Sequence, residues 1–374
     1  MSALRAVAER TGLVVLGVVT ALALAELALR LWLPPPPVMD LRGLHEFRPD
    51  KSWLYGLRPG AEGRVSATGD VLYRINADGF RGPRHARPAP ADRVRVVVLG
   101  DSVAFGYAVE EASTFPRLLE ARLAALFPQA GFEFVNLGVG GYNAWNELEL
   151  LRDVGIGYQP DLVLVQFCIN DLNDPTLHFD AQTRLALDAI PDAAFPDPSR
   201  RRGSQHAESS ARVWCARSRL CTLVHERWLP AHEPEFDEAA RRAAGDPVES
   251  AHAPEWRWLE ARYREMAAVA ARAGAGFAVL AFPYRAQLEG RGPHPVEERL
   301  LALARRNGWT VVDPLPAFRA ARAGGTPLFV DWWHPSAAGH RIAAAETLRT
   351  LACAGALGEA ARSACPAGGP GARD

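Results

Sequence analysis

Apolar positions follow three regimes along this chain. The first is a nearly unbroken block, Gly12 to Leu33 (GLVVLGVVTALALAELALRLWL), in which Glu26 and Arg30 are the only charges. As a helix rising 1.5 Å per residue, it is long enough to cross a hydrocarbon core of roughly 30 Å. Glu26 and Arg30 are four apart, so on a helix they pair or snorkel toward one interface. Trp32 sits at that end, as an interfacial aromatic would. The second regime begins at Arg93 and alternates short continuous apolar runs with segments of helical period. Val94–Leu99, Phe132–Leu137, Asp161–Cys168, Phe277–Phe282 and Trp309–Val312 are predicted strands. The first, VRVVVL, is rich in β-branched valine, as expected of a parallel strand covered on both faces. The predicted helices are LLEARLAALF behind Pro116, then Asn143–Val154, Trp256–Ala273, Pro295–Arg306 and Ala337–Leu351. Alternating strand and helix predicts an α/β sandwich around a mostly parallel sheet. The third regime, 174 to 254, has no period and is rich in Arg, Asp, Ala, Ser and Pro. An insert of that length is functional or mobile. It leaves the chain just after Asn170-Asp171 ends a strand, so it is placed to form a lid over the carboxyl edge of the sheet.

Flanking residues give the apolar block a direction. Arg5 and Arg10 precede it and favour a cytoplasmic N-terminus, which puts the remainder outside the cytoplasm. A cleaved signal peptide is the rival reading, because Ala21 to Ala25 offers A-x-A sites; the apolar pattern, however, runs on to Leu33. Both readings export the main domain. Pro34 to Pro37 end the helix and start a stiff extended spacer. Residues 38 to 92 are mixed and turn-rich, with Asn76-Ala-Asp-Gly-Phe-Arg-Gly-Pro83 as a turn and Arg84 to Pro90 as linker.

Composition changes this picture little. Of 374 residues 48% are apolar, enough for a sizeable core, and the formal net charge of -1 supplies no basic field for nucleic acid. Lys51 is the only lysine; the arginines are spread along the chain rather than clustered, as a genome composition bias would leave them. An exported domain permits disulfides. The expected pairs are Cys215–Cys221 and Cys353–Cys365, with Cys168 free on a buried strand; five unpaired thiols is the alternative.

Candidate chemistry collects at strand ends. Leu99-Gly100-Asp101-Ser102 follows the first buried strand directly, at the carboxyl edge where open α/β sheets gather reactive groups. Ser102 needs a positioned base to become a nucleophile. His334 qualifies, because Asp331 lies three residues ahead of it on one loop and can orient its imidazole. His340 is the nearest competitor, but it falls inside a predicted helix without a carboxylate at a similar offset. The glycine-rich turn Asn136-Leu-Gly-Val-Gly-Gly-Tyr-Asn143 and the Asn170 amide offer donors for an oxyanion. There is no Walker A loop and no well-placed G-x-G-x-x-G. His225-Glu226 lacks the spacing of a zinc helix, and Pro230 would interrupt one. No metal and no cofactor are expected.

Taken in order, these blocks resemble the SGNH (GDSL-like) hydrolase superfamily. Gly100-Asp101-Ser102 resembles its first block, Gly138 to Gly141 its second, Asn170-Asp171 its third and Asp331-x-x-His334-Pro its last. Asn76 to Gly82 resembles a stretch that precedes the catalytic domain in bacterial membrane-anchored members. The resemblance implies a flavodoxin-like three-layer α/β/α sandwich with a mostly parallel five-stranded sheet. It also implies roles: Ser102 as nucleophile, His334 as base, Asp331 as its orienter, and the Ser102 and Gly141 N–H groups with the Asn170 side chain as the oxyanion hole. One departure is Cys168, where the third block usually has glycine; it narrows the approach to Asn170 and removes no catalytic group. The expected organisation is a membrane anchor over 1–33, a linker and pre-domain segment over 34–92, the hydrolase domain over 93–355 with its insert, and a tail over 356–374. The expected activity is cleavage of carboxylic esters, such as O-acetyl or other O-acyl groups on glycans or lipids. The expected location is a single-pass cell-membrane protein with an extracytoplasmic catalytic domain. An O-acyltransferase acting on an extracytoplasmic polysaccharide and a non-catalytic carbohydrate-binding or assembly protein are the alternatives.

Overall fold

The computed structural model of the chain describes residues 2–32, 39–40, 43–48, 50–65, 71–172, 218, 220–221, 253–288, 295–331 and 333–366. The expected Pro34–Pro37 spacer, Cys215, His225-Glu226 and nearly all of the 174–254 insert lie outside the described residues. Two compact units emerge: residues 1–38 with 201–234, and residues 39–200 with 235–374.

In the first unit, α1 runs Ser2–Trp32. Within it Arg10–Trp32 is 23 residues of mean hydropathy 2.3, with none of it buried. That is enough length and apolarity to cross a bilayer. Arg30 Nε donates to Glu26 Oε1 at 2.7 Å, the pair expected from the spacing. Glu26 Oε2 also accepts from Ser218 Oγ and the Leu220 N–H, both at 2.9 Å. An acid inside an apolar helix is costly unless it is bonded in this way.

The second unit opens with five short strands, β1 Met39–Asp40, β2 His45–Phe47, β3 Tyr55–Leu57, β4 Glu62–Val65 and β5 Val71–Arg74. They pair antiparallel as β1-β4-β5 and β2-β3. The sequence was read here as turns, because strands of two to four residues are too short to display a period. These strands are not peripheral: Trp53, Tyr55, Leu57 and Tyr73 are buried in the same cluster as Val97, Leu99 and Leu148.

Next come β6 Arg93–Leu99, α2 Ser102–Phe105, α3 Phe115–Leu126, β7 Gly131–Asn136, α4 Ala144–Asp153 and β8 Leu162–Phe167. After the insert follow α5 Ala253–Arg272, β9 Gly276–Ala281, α6 Arg285–Leu288, α7 Pro295–Asn307, β10 Thr310–Val312, α8 Leu315–Ala323 and α9 Ala337–Cys353. The main sheet runs β10-β9-β8-β6-β7, every pairing parallel. The expected five-stranded parallel α/β sandwich is the fold observed. Successive side chains of β6 go to opposite faces, Val97 and Leu99 to one core and Val96 and Val98 to the other. The first core is filled by α4 and α5 through Leu148, Leu151, Tyr263 and Met266, the second by α3 and α9 through Leu119, Leu123, Leu348 and Leu351. Each such side chain, fully buried, contributes roughly 1.5–3 kcal/mol. Helix α8, which the sequence reading missed, starts at Leu315 with Pro316 in its first turn and buries Leu315 and Phe318.

Arg95 explains how residues 84–90 meet this sheet. Its wholly buried guanidinium pairs with Glu133 and donates to Ala86 O at 2.8 Å and Tyr158 O at 2.7 Å. Cys353 and Cys365 form a disulfide that closes the turn after α9, Cys168 is free, and Cys221 is disulfide-bonded.

Candidate active site

Gly100-Asp101-Ser102 turns the chain from β6 into α2. Asp101 caps that helix, its Oδ1 accepting the Val103 N–H at 2.8 Å. Ser102 is therefore the first helical residue, and its own N–H has no partner within the helix. The glycine-rich block is latched to this corner. The Val139 N–H donates to Gly100 O at 3.1 Å, and Asn136 Nδ2 to Ala104 O at 2.7 Å. The approach is close enough that a β-carbon on Gly138 would lie 2.5 Å from Phe105 N. Gly141, with φ +79°, turns a corner closed by the Tyr142 N–H on Val139 O at 3.1 Å, a conformation that favours glycine.

Asn170 sits in the turn Ile169–Leu172 that follows β8. Its Nδ2 donates to Tyr142 O at 2.7 Å, which ties the third block to the second. The last block is a short hairpin: the Val330 N–H meets His334 O at 2.9 Å and the Ser336 N–H meets Leu328 O at 2.8 Å. Ser336 then caps α9 by accepting from the Ala338 and Gly339 N–H groups.

These four segments bring Ser102, His334 and Asp331 into one line. His334 Nε2 lies 2.9 Å from Ser102 Oγ, and His334 Nδ1 lies 2.7 Å from Asp331 Oδ2. Asp331 Oδ1 accepts the Trp333 and His334 N–H groups at 2.8 and 2.7 Å. Burial pushes the Asp331 carboxyl up, but the His334 charge and these bonds outweigh it and hold the group below its ordinary value. An ionised carboxylate only accepts, so Nδ1 carries the imidazole proton and Nε2 is left to accept from the Ser102 hydroxyl. His340, the competitor, is a core residue. It is wholly buried between Phe115 and Phe282, its Nδ1 accepts the Phe115 N–H at 3.2 Å, and burial pushes it down to about 3.

Sequence reading missed two features around this line. Tyr107 lays its ring 4.1 Å from that of His334, centroid to centroid. Nothing in a single sequence marks that tyrosine. Beneath the strand ends lie three buried acids, Asp101, Glu147 and Asp171. Burial raises Asp101, against the pull of the Val103 N–H, the His334 charge and weaker bonds from Cys168 and Asn170. Asp171 Oδ2 accepts the Cys168 N–H at 2.9 Å and the Tyr263 hydroxyl at 3.1 Å. Neither Glu147 oxygen has a partner among the described residues. Burial first, then the Asp171 and Asp101 charges, raise this unpartnered carboxyl well above the ordinary 4.5.

A raised carboxyl gives a definite sign. Folded Glu147 keeps a proton that the unfolded chain gives up above pH 4.5. The stability it contributes is therefore complete below that value and lost as pH rises through its folded one. Glu147→Gln is neutral at every pH. The variant is expected to melt with the native chain near pH 4.5 and progressively above it toward pH 9; parallel melting curves across that range would contradict the assignment.

With this geometry in place, comparison with known proteins gives the family. Residues 98–342 match the GDSL-like Lipase/Acylhydrolase family, and the chain belongs to it. It is thus an ester-cleaving hydrolase by kinship, as the four blocks implied. Among solved structures, the chain is similar to LAE5, an alpha/beta hydrolase from the metagenome of Lake Arreo, Spain, at 20% identity. That match covers 71% of this chain and 97% of the other, with a TM-score of 0.40. Axe2, an acetylxylan esterase from Geobacillus stearothermophilus, matches at 17% identity over 70% and 96%, also at 0.40. TesA matches at 16% over 69% and 97%, at 0.39. No curated protein matches the chain.

Proposed function

We propose that the chain is a membrane-anchored serine esterase that removes short O-acyl groups from glycans or lipids outside the cytoplasm. The observation that carries this reading is the continuous line from Ser102 Oγ through His334 to Asp331, at 2.9 and 2.7 Å. In the proposed cycle, Ser102 Oγ attacks the ester carbonyl while its proton passes to His334 Nε2. The Ser102 and Gly141 N–H groups and the Asn170 amide receive the oxyanion. As the tetrahedral adduct collapses, His334 returns the proton to the departing alkoxide, leaving an acyl-Ser102. Water, deprotonated by His334, attacks that acyl group, and the carboxylic acid leaves as Ser102 recovers its proton. Asp331 stabilises the imidazolium at both stages.

The short acyl group in this reading is suggested by a small cavity one residue away from the site side chains. A cavity of about 20 Å³ is walled by Val103, Cys168, Ile169, Tyr284 and Trp333, the immediate neighbours of three site residues among them. That is room for about one water-sized group. The expected result is kcat/KM at least about 10-fold higher for p-nitrophenyl acetate than for the octanoate, with Cys168→Gly narrowing the gap. Equal rates on both esters would refute the short-chain assignment.

Orientation rests on the apolar Arg10–Trp32 helix with Arg5 before it and Arg10 at its start. A membrane-impermeant organophosphonate applied to spheroplasts expressing the full chain tests both parts. Labelling at Ser102 is the expected result. Labelling only after lysis would reverse the topology, and labelling at another serine would remove Ser102 from its role.

A further inference from the structure

The Asn76–Gly82 motif lies outside the 98–342 family match, yet it reaches the site. Asn76 folds it into a tight loop: its Oδ1 accepts the Asp78 and Phe80 N–H groups at 2.9 and 3.1 Å, and its Nδ2 donates to Gly82 O at 3.1 Å. This loop sends Arg81 inward, where only 4% of it is exposed. Its Nη1 donates to Phe105 O at 3.0 Å and Gly106 O at 2.6 Å, and its Nη2 to Val109 O at 2.7 Å. The guanidinium lies 4.4 Å from the ring centre of Tyr73 and 5.2 Å from that of Phe105. These carbonyls belong to the end of α2 and the loop after it, where the only backbone partner is the Val109 N–H on Gly106 O at 3.4 Å, among the described residues.

The clamped loop, 105–109, touches the backbone of Ser102 and the ring of His334. The Gly106 and Tyr107 N–H groups donate to Ser102 O at 3.0 and 2.9 Å. The Tyr107 ring packs on His334 with centroids 4.1 Å apart. The next residue, Ala108, holds φ +58°, uncommon for a residue with a β-carbon, and its N–H donates to the Tyr73 hydroxyl at 2.7 Å. One fork-shaped cation thus fixes three carbonyls around a backbone bend that aims a ring at the imidazole. A lysine would offer a point charge that cannot bridge them all.

We infer that Arg81 is a positioning residue that holds Ser102 and His334 in register through the 105–109 loop and its Tyr107. The inference rests on the reading of Ser102 and His334 given above. It makes the segment before the family domain a working part of the site.

The test uses the full-length chain in detergent, with p-nitrophenyl acetate and an organophosphonate as probes. Arg81→Lys is expected to lower kcat by about 10-fold or more with KM within about twofold, and to slow labelling of Ser102 by the same factor, since small misplacement costs rate rather than binding. Millimolar guanidinium is expected to restore part of the rate to Arg81→Ala. Tyr107→Leu should show the same kcat loss, and the double variant with Arg81→Lys should be no slower than the worse single, because both act on one element. If the Arg81 variants fail to fold, Tyr73→Phe reads the same loop, losing one hydroxyl anchor while keeping the ring; it too should lose kcat without KM. Folded Arg81→Lys labelled at the native rate, losses that multiply in the double variant, or Tyr73→Phe at full kcat beside unfolded Arg81 variants would overturn the inference. In those cases labelling of the native chain at Ser102 leaves the esterase reading standing; absence of that label would overturn both.

Discussion

Ser102→Ala is expected to lower kcat for p-nitrophenyl acetate by at least about 10³, the residual turnover coming from donors and binding alone. The hydroxyl removed is the one 2.9 Å from His334 Nε2. His334→Ala should cost a similar factor, and the double variant little more, because a nucleophile and its base act as a unit. Asp331→Asn should hurt less than either. Its two backbone bonds to the Trp333 and His334 N–H groups can survive on the amide oxygen, while the charge that stabilises the imidazolium is lost. Steady-state kinetics with melting temperatures for each variant check this ranking. A folded Ser102→Ala chain with native turnover would end the assignment, as would multiplicative losses in the double variant.

How much of this was legible in the sequence depends on length and locality. The β6 run and the longer helices packed on the main sheet declared themselves, because each buries a whole face and its apolar period repeats often enough to see. The short strands β1 to β5 did not: Tyr55 is held by Gly140 and Tyr142, some 85 positions along. The Asp331–His334 pairing could be read because both groups lie on one loop. The Tyr107 stacking and the Glu147–Asp171 cluster join residues whose separation carries no pattern, so only the fold assembles them. Arg81 is the sharpest case. Its motif was visible as a turn, but a turn reading says nothing of the three distant carbonyls that give the arginine its task.

Asn170→Ala should cost the next largest factor, about 10² to 10³ in kcat, the usual cost of removing one oxyanion donor. Its Nδ2 carries two hydrogens. Tyr142 O takes one at 2.7 Å, which fixes the amide against the loop that carries Gly141. On the proposed reading the other is the one a developing oxyanion recruits. Asn170→Asp is the sharper variant. It keeps shape and volume but replaces the donor with an acid beside buried Asp101 and Asp171, so it withdraws a hydrogen bond and adds repulsion to the same negative oxygen. The expected order of kcat is therefore native, then Asn170→Ala, then Asn170→Asp, with KM changing far less because the lost interaction belongs to the transition state. Asn170→Asp should also recover part of its activity as pH falls and the acid regains a proton it can donate. Kinetics from pH 5 to 9 on all three proteins decide the matter. If Asn170→Ala keeps native kcat, or if its defect appears in KM alone, the amide serves the loop and not the oxyanion.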